Sequence, residues 1–541
     1  MATPASDQEK PTERETSSVD PGTLRVHQAG TFYMESGHWE DILTKIRGLT
    51  EDFVPDKVLP GSHLIYGPNH HSNRDDIVGA VPPRPVVDRL MALHFDSYII
   101  TPFFIHSIKF LRETFTMEIP DGPSESLKSE YLTMKDEFRE RAVQCLMLAR
   151  YTNGGPYILE TLITILTGES VLLKGSATDG WLSISTILHL AVRMGYHRDP
   201  DHFLDISPFE AEMRRRIWTT ILVMDLTLSL DIGLPRNAID SQYDTKLPQN
   251  LHDSDFDEDT LEIPPPRPET EYTPILPLIA KGRLIAVLGL ICNANTTIKP
   301  LSYDETVKVD KSLQDIHSHA IPPMLRWDSA AHPITDRASL IVQRISLETS
   351  FHKSRILLYR RILSRSPVHQ FLERERDSML HEESLPLGRL SQLRWKVAHI
   401  FNQDILLATS VFCLYLQDVE VFESPQTGNQ QSSRVEEIRR QLTISHKIWH
   451  QMSTTSAAAT KVAQALGIVL GDTEVPDDEG TQRDLAEFDA IPLAEFDTSF
   501  NSECKRRTSS HVIQLLILID FASGFHSPLR YFDNVLETWG T

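Results

Sequence analysis

SPFEAEMRRRIWTTILVMD, residues 207–225, is the stretch on which the reading of this chain turns. Arg214, Arg215 and Arg216 stand together in its middle. They admit three uses: gripping a phosphate backbone, carrying an import signal, or holding a helix together. The residues around them argue for the third. Ser207 suits the N-cap, Pro208 suits the first helical position, and Glu210 at N3 completes a capping box. Phe209, Met213, Ile217, Ile221, Met224 and Leu228 then recur every three or four residues, as one face of an α-helix does. Trp218 and Leu222 widen that stripe, so the helix is expected to be buried along much of its circumference. Asp225 lies within it, and Gly233-Leu234-Pro235 ends it.

The arginines have acidic neighbours at helical spacing. Glu210 lies one turn before Arg214, and Glu212 lies one turn before both Arg215 and Arg216. Acid-before-base pairs at these spacings contribute about 0.2–0.5 kcal/mol each. The local charge is therefore expected to be neutralised inside the helix. A stripe built to grip DNA would not carry its own acids one turn away.

Composition points the same way. The 541-residue chain has a formal net charge of −22, and a field of that sign repels phosphate backbones. With 40% hydrophobic and 24% charged residues, it can bury a substantial core. Cys145, Cys292, Cys413 and Cys504 are too scattered for a zinc-ligand pattern or a disulfide framework, and read as thiols in a reducing compartment. The longest apolar candidates, at 284–291 and 512–519, are core-helix length, and the polar N-terminus lacks a signal-peptide core. An intracellular chain with no membrane association is expected.

Along the chain, residues 1–30 read as a disordered tail and 31–84 as an irregular lead-in rich in Pro, Gly and His. A helical domain is expected over 85–471. Its segments include 86–115, 137–152, 156–168, 180–195, 275–294, 338–364, 393–417 and 432–471. Gly168 and Gly195 are placed as helix-ending glycines. Residues 247–274 form an acidic, proline-rich connection. Residues 472–509 form a flexible acidic segment, whose 472–503 part holds eleven acids and one base. Its Leu and Phe residues interleaved with acids match the composition of activation segments; the alternative is a solvated loop docking Phe488 and Phe496. A last helix, 510–525, is expected to pack on the core within 510–541. No βαβ rhythm appears, so the fold class is all-α, a multi-helical domain.

Catalytic signatures are weak. His70-His71-x-x-x-Asp75 resembles an acyltransferase motif in which the second histidine is a general base, but Asp76 stands where that motif has glycine. A magnesium-binding aspartate cluster on facing helices, as in terpene synthases, lacks its Asp-Asp-x-x-Asp. Phosphate-loop, dinucleotide, nucleophile-elbow and zinc-protease motifs are missing. His197 and His202 flank a turn at a spacing unsuited to one-face metal binding.

The ordered series of motifs is more specific. Met194-Gly195-Tyr196-His197-Arg198-Asp199-Pro200 is followed by Ser207-Pro208-Phe209-Glu210-x-Glu212-x-Arg214-Arg215-Arg216-x-Trp218. Asp225, Gly233-Leu-Pro235-Arg, Asp244, Leu247-Pro-x-Asn250 and Asp253-x-Asp255 come next. This series resembles the middle homology region of fungal-specific zinc-cluster transcription factors. Segments 81–95, 105–113, 151–162 and 352–363 are similar to further helices of that family, and the likeness covers residues 33–365 well. It implies a nuclear transcription regulator, not an enzyme, of a biosynthetic or metabolic gene set.

Members of that family usually bind zinc through six cysteines near the N-terminus, whereas this sequence has no cysteine before Cys145. Three readings of the departure stay open: a regulator acting through partners without its own cluster, a sequence that begins downstream of one, or another regulatory role. The first is adopted. No cofactor is expected in this chain. The implied partners are the transcription machinery or other regulators, with a second copy of the chain as a further candidate. Direct DNA binding is disfavoured. A helical scaffold without transcriptional function is a further alternative, and Lys505-Arg506-Arg507 is the one modest import candidate.

Overall fold

Helix signals in the sequence become helices wherever an apolar face finds a partner. The computed structural model describes residues 23–27, 30–34, 39–44, 73–96, 104–116, 131–172, 177–297, 301–326, 338–363 and 457–471, and many of those between 406 and 450. The acidic 472–503 segment, Lys505-Arg506-Arg507, the expected helix at 510–525, His70 and His71 lie outside the described residues.

An antiparallel hairpin of β1 (Thr23–His27) and β2 (Gly30–Met34) comes first, across the expected border between tail and lead-in. Helices α1 (Trp39–Thr44) and α2 (Arg74–Gly79) lie within the lead-in. The expected 86–115 segment is two helices, α3 (Arg84–Asp96) and α4 (Ser107–Thr116). Then follow α5 (Tyr131–Leu148), α6 (Ile158–Leu172), α7 (Ala177–Arg193) and α8 (Pro208–Ile232). A long loop leads to α9 (Leu276–Thr296), α10 (Tyr303–His319) and α11 (Ala338–Leu363). Helical residues recur across 406–417 and 436–450, and α12 spans Ala457–Leu470.

The all-α class holds. Gly195 does end α7 in a left-handed conformation, φ 78°. Gly168 does not end its helix: α6 continues to Leu172. The buried run Leu159, Leu162, Ile163 and Leu166 anchors that helix on the core, and packing of this kind overrides the roughly 1 kcal/mol cost of an internal glycine.

At the centre lies α9, packed on α8, α10 and α11. It is long and apolar enough to cross a membrane by length and hydropathy, although no unbroken apolar run of that length is present. Its burial within the protein accounts for that character: Leu276, Ala280, Leu284, Leu288 and Ile291 face one continuous hydrophobic core.

Two glycines of α9, two turns apart, lie where the preceding loop crosses the helix. A Cβ at Gly282 would come within 2.5 Å of the Leu247 side chain, and one at Gly289 within 2.5 Å of the Arg236 guanidinium. Alanine in a helix gains up to about 1 kcal/mol over glycine. Leu247 is partly exposed and can swing aside. Arg236 is held by Asp240 and largely shielded from solvent. The buried Thr219 methyl, 3.2 Å away, must also give a little, so Gly282→Ala is expected to be close to neutral. Gly289→Ala is expected to destabilise, because Arg236 must give up its seat. Paired denaturation curves check this, and equal stabilisation by both would contradict it.

Candidate functional site

The motif residues converge on one feature: the loop 234–274 is clasped to α8. Helix α8 begins as its sequence implies. The Ser207 hydroxyl accepts from the Glu210 amide at 3.2 Å, with Pro208 at N1. The cap is one-sided: the Ser207 side chain takes the Glu210 amide without a full capping box. Gly233 closes the helix in the left-handed region, φ 70°, its amide donating to the Ser229 carbonyl. Residues 215–222 are all buried. This helix therefore carries charged side chains into the interior, and each must find a partner there.

Arg216 is 2% exposed and Glu212 is fully buried. They pair at 3.1 Å, as the spacing implied. Arg216 also donates to Asp253 at 2.7 Å, and its guanidinium lies over the Phe256 ring. Glu212 accepts from the Gln249 amide. On its other oxygen Asp253 accepts from the Ser107 amide and hydroxyl, at 2.7 and 2.8 Å. His106 contacts the Phe256 carbonyl. One arginine thus ties α8 to the loop, and through Asp253 to the start of α4.

The other two arginines depart from the in-helix expectation. Arg215 does not use Glu212. Its forked guanidinium takes Asp199 at 2.9 and 3.2 Å and Asp201 at 2.6 Å. Arg214 does not pair with Glu210. It donates to the Met194 carbonyl and lies 4.4 Å above the Tyr196 ring. The reason is competition: 194–201 lies alongside the helix and offers Arg215 a planar fork-to-fork carboxylate, and Arg214 a carbonyl and a ring face.

Asp199 and Asp201 form a bridge onward. Asp199 caps the short 3₁₀ turn Pro200–His202, and Asp199 also accepts from the Lys246 amide at 2.8 Å. The Lys246 ammonium reaches Asp201 at 2.6 Å. Asp244 accepts from the Asp199 amide, Arg198 and His202. Further along, Asp225 takes the Asn237 amide, the Asn237 side chain and the Ala238 amide at 2.8–3.1 Å. Pro235 lends its carbonyl to the Trp181 indole at 3.0 Å. Asn250 donates to the carbonyls of Arg267, Pro268 and Glu271, and accepts from Thr273. Asp255 holds Arg267 by two bonds of 2.7 Å.

All twelve motif residues read from the sequence, His197, Arg198, Asp199, Glu210, Glu212, Arg214, Arg215, Arg216, Trp218, Asp225, Gly233 and Pro235, belong to this region. Glu210 contributes only its amide to the helix cap. Sequence reasoning missed Asp201, Lys246, Asn237 and Ser107. The Asp-Pro-Asp of 199–201 was the one visible signal, since that order suits a capped turn.

Electrostatics follow from burial and pairing. Burial works against the Asp199 charge, yet Arg215 and the Lys246 and Asp201 amides hold its carboxyl well below the usual range. Burial likewise opposes Asp253, but Arg216, His106 and the Ser107 amide outweigh it and lower the group. Asp255 is lowered by Arg267. Burial pushes Glu212 up and lowers His106.

The sign for stability is then fixed. Depressed aspartates stabilise the fold above the unfolded carboxylate pKa of about 3.9, and that stability is lost as pH falls through their folded values. His106, held neutral in the fold, loses stability earlier, as pH falls below about 6.5. Glu212 acts with opposite sign, but three aspartates oppose it. Loop protection against amide exchange is expected to weaken as pH falls below about 6.5 and to fall off further below about 4. A loop equally protected at pH 3 and pH 7 would contradict this.

Asp75 of the acyltransferase-like motif sits in α2, exposed. Its neighbour Asp76 is consumed by a capping box with Asn73. Among the described residues, no group of three or more His, Cys, Asp or Glu could hold a metal.

What the geometry defines is a helical domain whose motif residues lock a loop. The fungal specific transcription factor domain matches residues 164–320, which contain most of that clasp. The fusarisetin A cluster transcription factor of Fusarium sp. (strain FN080326) is 36% identical over 526 residues, covering 86% of this chain and 70% of that protein. The equisetin cluster transcription factor of Fusarium heterosporum is 36% identical over 531 residues, covering 87% and 76%. A Zn(2)-C6 fungal-type transcription factor of Macrophomina phaseolina (strain MS6) is 31% identical over 508 residues, covering 83% and 68%. No solved structure matches. The chain belongs to the fungal-specific transcription factor family and is a transcription regulator.

Proposed function

We propose that this chain controls a biosynthetic or metabolic gene set from the nucleus, through protein–protein contacts of its helical domain rather than through catalysis. The observation that supports the contact mechanism is the fate of the arginines. Arg215 and Arg216 are buried and spent on Asp199, Asp201, Glu212 and Asp253. That leaves α8 without a phosphate-binding stripe. The gene-set reading is supported by the relatives, two of which carry the name of a biosynthetic cluster. Residues 472–503 are the candidate activation segment, by composition.

The test has two arms. Disruption of the gene in its host is expected to lower, or for a repressor raise, transcripts of a linked set of biosynthetic genes, with restoration by the intact gene. Residues 472–503 fused to an unrelated DNA-binding domain are expected to activate a reporter. Unchanged transcripts on disruption would sink the first reading. A silent fusion, with activity from the helical domain alone, would move the activation function off the acidic segment.

A further inference from the structure

Beside the clasp lies a cavity of about 230 Å³. Helix α7 contributes Leu188, α8 contributes Trp218, and the turn before α8 contributes His197. The first part of the clasped loop closes it with Ala238, Gln242 and Tyr243. Three rings meet there: Tyr243 stands edge-on to Trp218 at 5.7 Å, and His197 is tilted against it at 6.4 Å. Val192, Ile239 and Gln242 are exposed and mark the mouth.

Two polar atoms in this lining are unaccounted for. Trp218 is 2% exposed, and its indole Nε1 has no hydrogen-bond partner. The Nδ1 of His197 is likewise buried and unpaired. The buried carboxylates and guanidiniums of the clasp are paired, whereas the Trp218 indole and the Gln249 side-chain oxygen are not. Buried polar groups without partners are uncommon and cost about 1–3 kcal/mol each. An apolar, ring-lined pocket with a few convergent polar groups is how small-molecule sites are built.

We infer that this cavity is a binding site for a small, uncharged molecule with a flat apolar body and one carbonyl or hydroxyl oxygen, accepted by the Trp218 N–H. Each attribute follows from the lining. No Asp, Glu, Lys or Arg faces the cavity, so a charged ligand would be desolvated without compensation. Three aromatic rings favour a flat partner. The indole nitrogen is a donor only, so the ligand must bring an acceptor. The volume lies below the roughly 300–1,000 Å³ of drug-sized sites, so the ligand or its inserted part is small.

The site is wired to the clasp. Asn237 and Ala238, which line it, are the residues pinned by Asp225. The His197 carbonyl accepts from the Asp244 amide at 3.0 Å. A ligand seated there stabilises the closed loop by mass action. The inference does not rest on the transcriptional reading, because binding is measured on the purified full chain.

Acetophenone, ethylbenzene and benzoate serve as probes of matched size, followed by ligand-detected NMR titration. Acetophenone is expected to bind more tightly than ethylbenzene, and benzoate not at all. Trp218→Phe removes a donor that has no partner in the protein, so the fold keeps its bonds. It is expected to weaken acetophenone about tenfold, the value of one hydrogen bond, and to erase its advantage over ethylbenzene. Gln242→Trp, at the exposed mouth, is expected to abolish binding of both. No acetophenone binding to the full chain would overturn the inference. So would an acetophenone advantage that survives both substitutions, or equal binding of acetophenone and ethylbenzene, which would leave the indole to ordinary water.

Discussion

Replacing Arg216 by alanine is expected to cost about 3–5 kcal/mol of the free energy holding the 234–274 loop closed. The size comes from what is left behind. Glu212 is fully buried and would have either to hold its charge with only the Gln249 amide for company or to take up a proton. Asp253 would keep the two Ser107 donors but lose its cation. Removing one partner of a buried ion pair costs far more than the pair contributes on balance, because the orphaned charge must stay out of water. Arg216→Lys is expected to recover only part of the loss, since an ammonium cannot span Glu212 and Asp253 as a fork does. The double replacement Arg216→Met with Glu212→Leu should cost less than Arg216→Ala alone. Amide exchange across 247–257 and across 104–110 reads the effect. Unchanged protection at both places in Arg216→Ala would refute the clasp.

Asp225→Ala should be nearly as damaging, for a different reason. Asp225 is fully buried and takes three donors, none of them cationic: the Asn237 and Ala238 amides and the Asn237 side chain. Alanine strips those donors of their acceptor in a place water cannot easily reach. At about 1–3 kcal/mol for each unsatisfied buried group, the two amides alone come to about 2–6 kcal/mol. Asp225→Asn keeps one acceptor oxygen but turns an NH₂ group toward a donor, so it should fall between wild type and alanine. The readout is local, at residues 234–243. If Asp225→Asn proves as harmful as Asp225→Ala, the damage comes from the lost charge rather than from the lost acceptor.

The all-α class and the limits of α8 were legible in the sequence because they depend on local chemistry. A Ser-Pro start, an apolar period and a terminal glycine fix a helix wherever it sits. The pairing of Arg216 with Glu212 was legible for the same reason, being one turn long. Arg215 was not. Its partners lie 14 and 16 residues upstream and only meet it after the chain has turned back. Arg214 was misassigned likewise, since a ring at Tyr196 competed with an acid on its own helix. The loop 247–274 looked in sequence like an acidic connector. Of its acids, Asp253 is taken by α8, Asp255 and Glu271 by Arg267, Glu258 by α4 and Glu269 by α9, a fact that needs three dimensions. The unpaired indole of Trp218 was invisible, because on a helical wheel a tryptophan in an apolar stripe reads only as core.

The loop's dependence on side chains has a consequence for how the molecule assembles. Between α8 and α9 the described chain has no strand and, apart from the short turn Asp240–Gln242, no helix. Its local bonds, such as Arg267 to Glu271 and Thr260 to Asp257, build no repeating element. Its anchor at Asp253 joins Ser107 across 146 residues of sequence, and loop-closure entropy must be met before that contact returns anything. The segment should therefore be last to order, after α7 and α8 have docked on α6. A newly made chain would pass through a stage in which its central helices are packed and Arg215 is already paired with Asp199 and Asp201, while Arg216 still waits for Asp253.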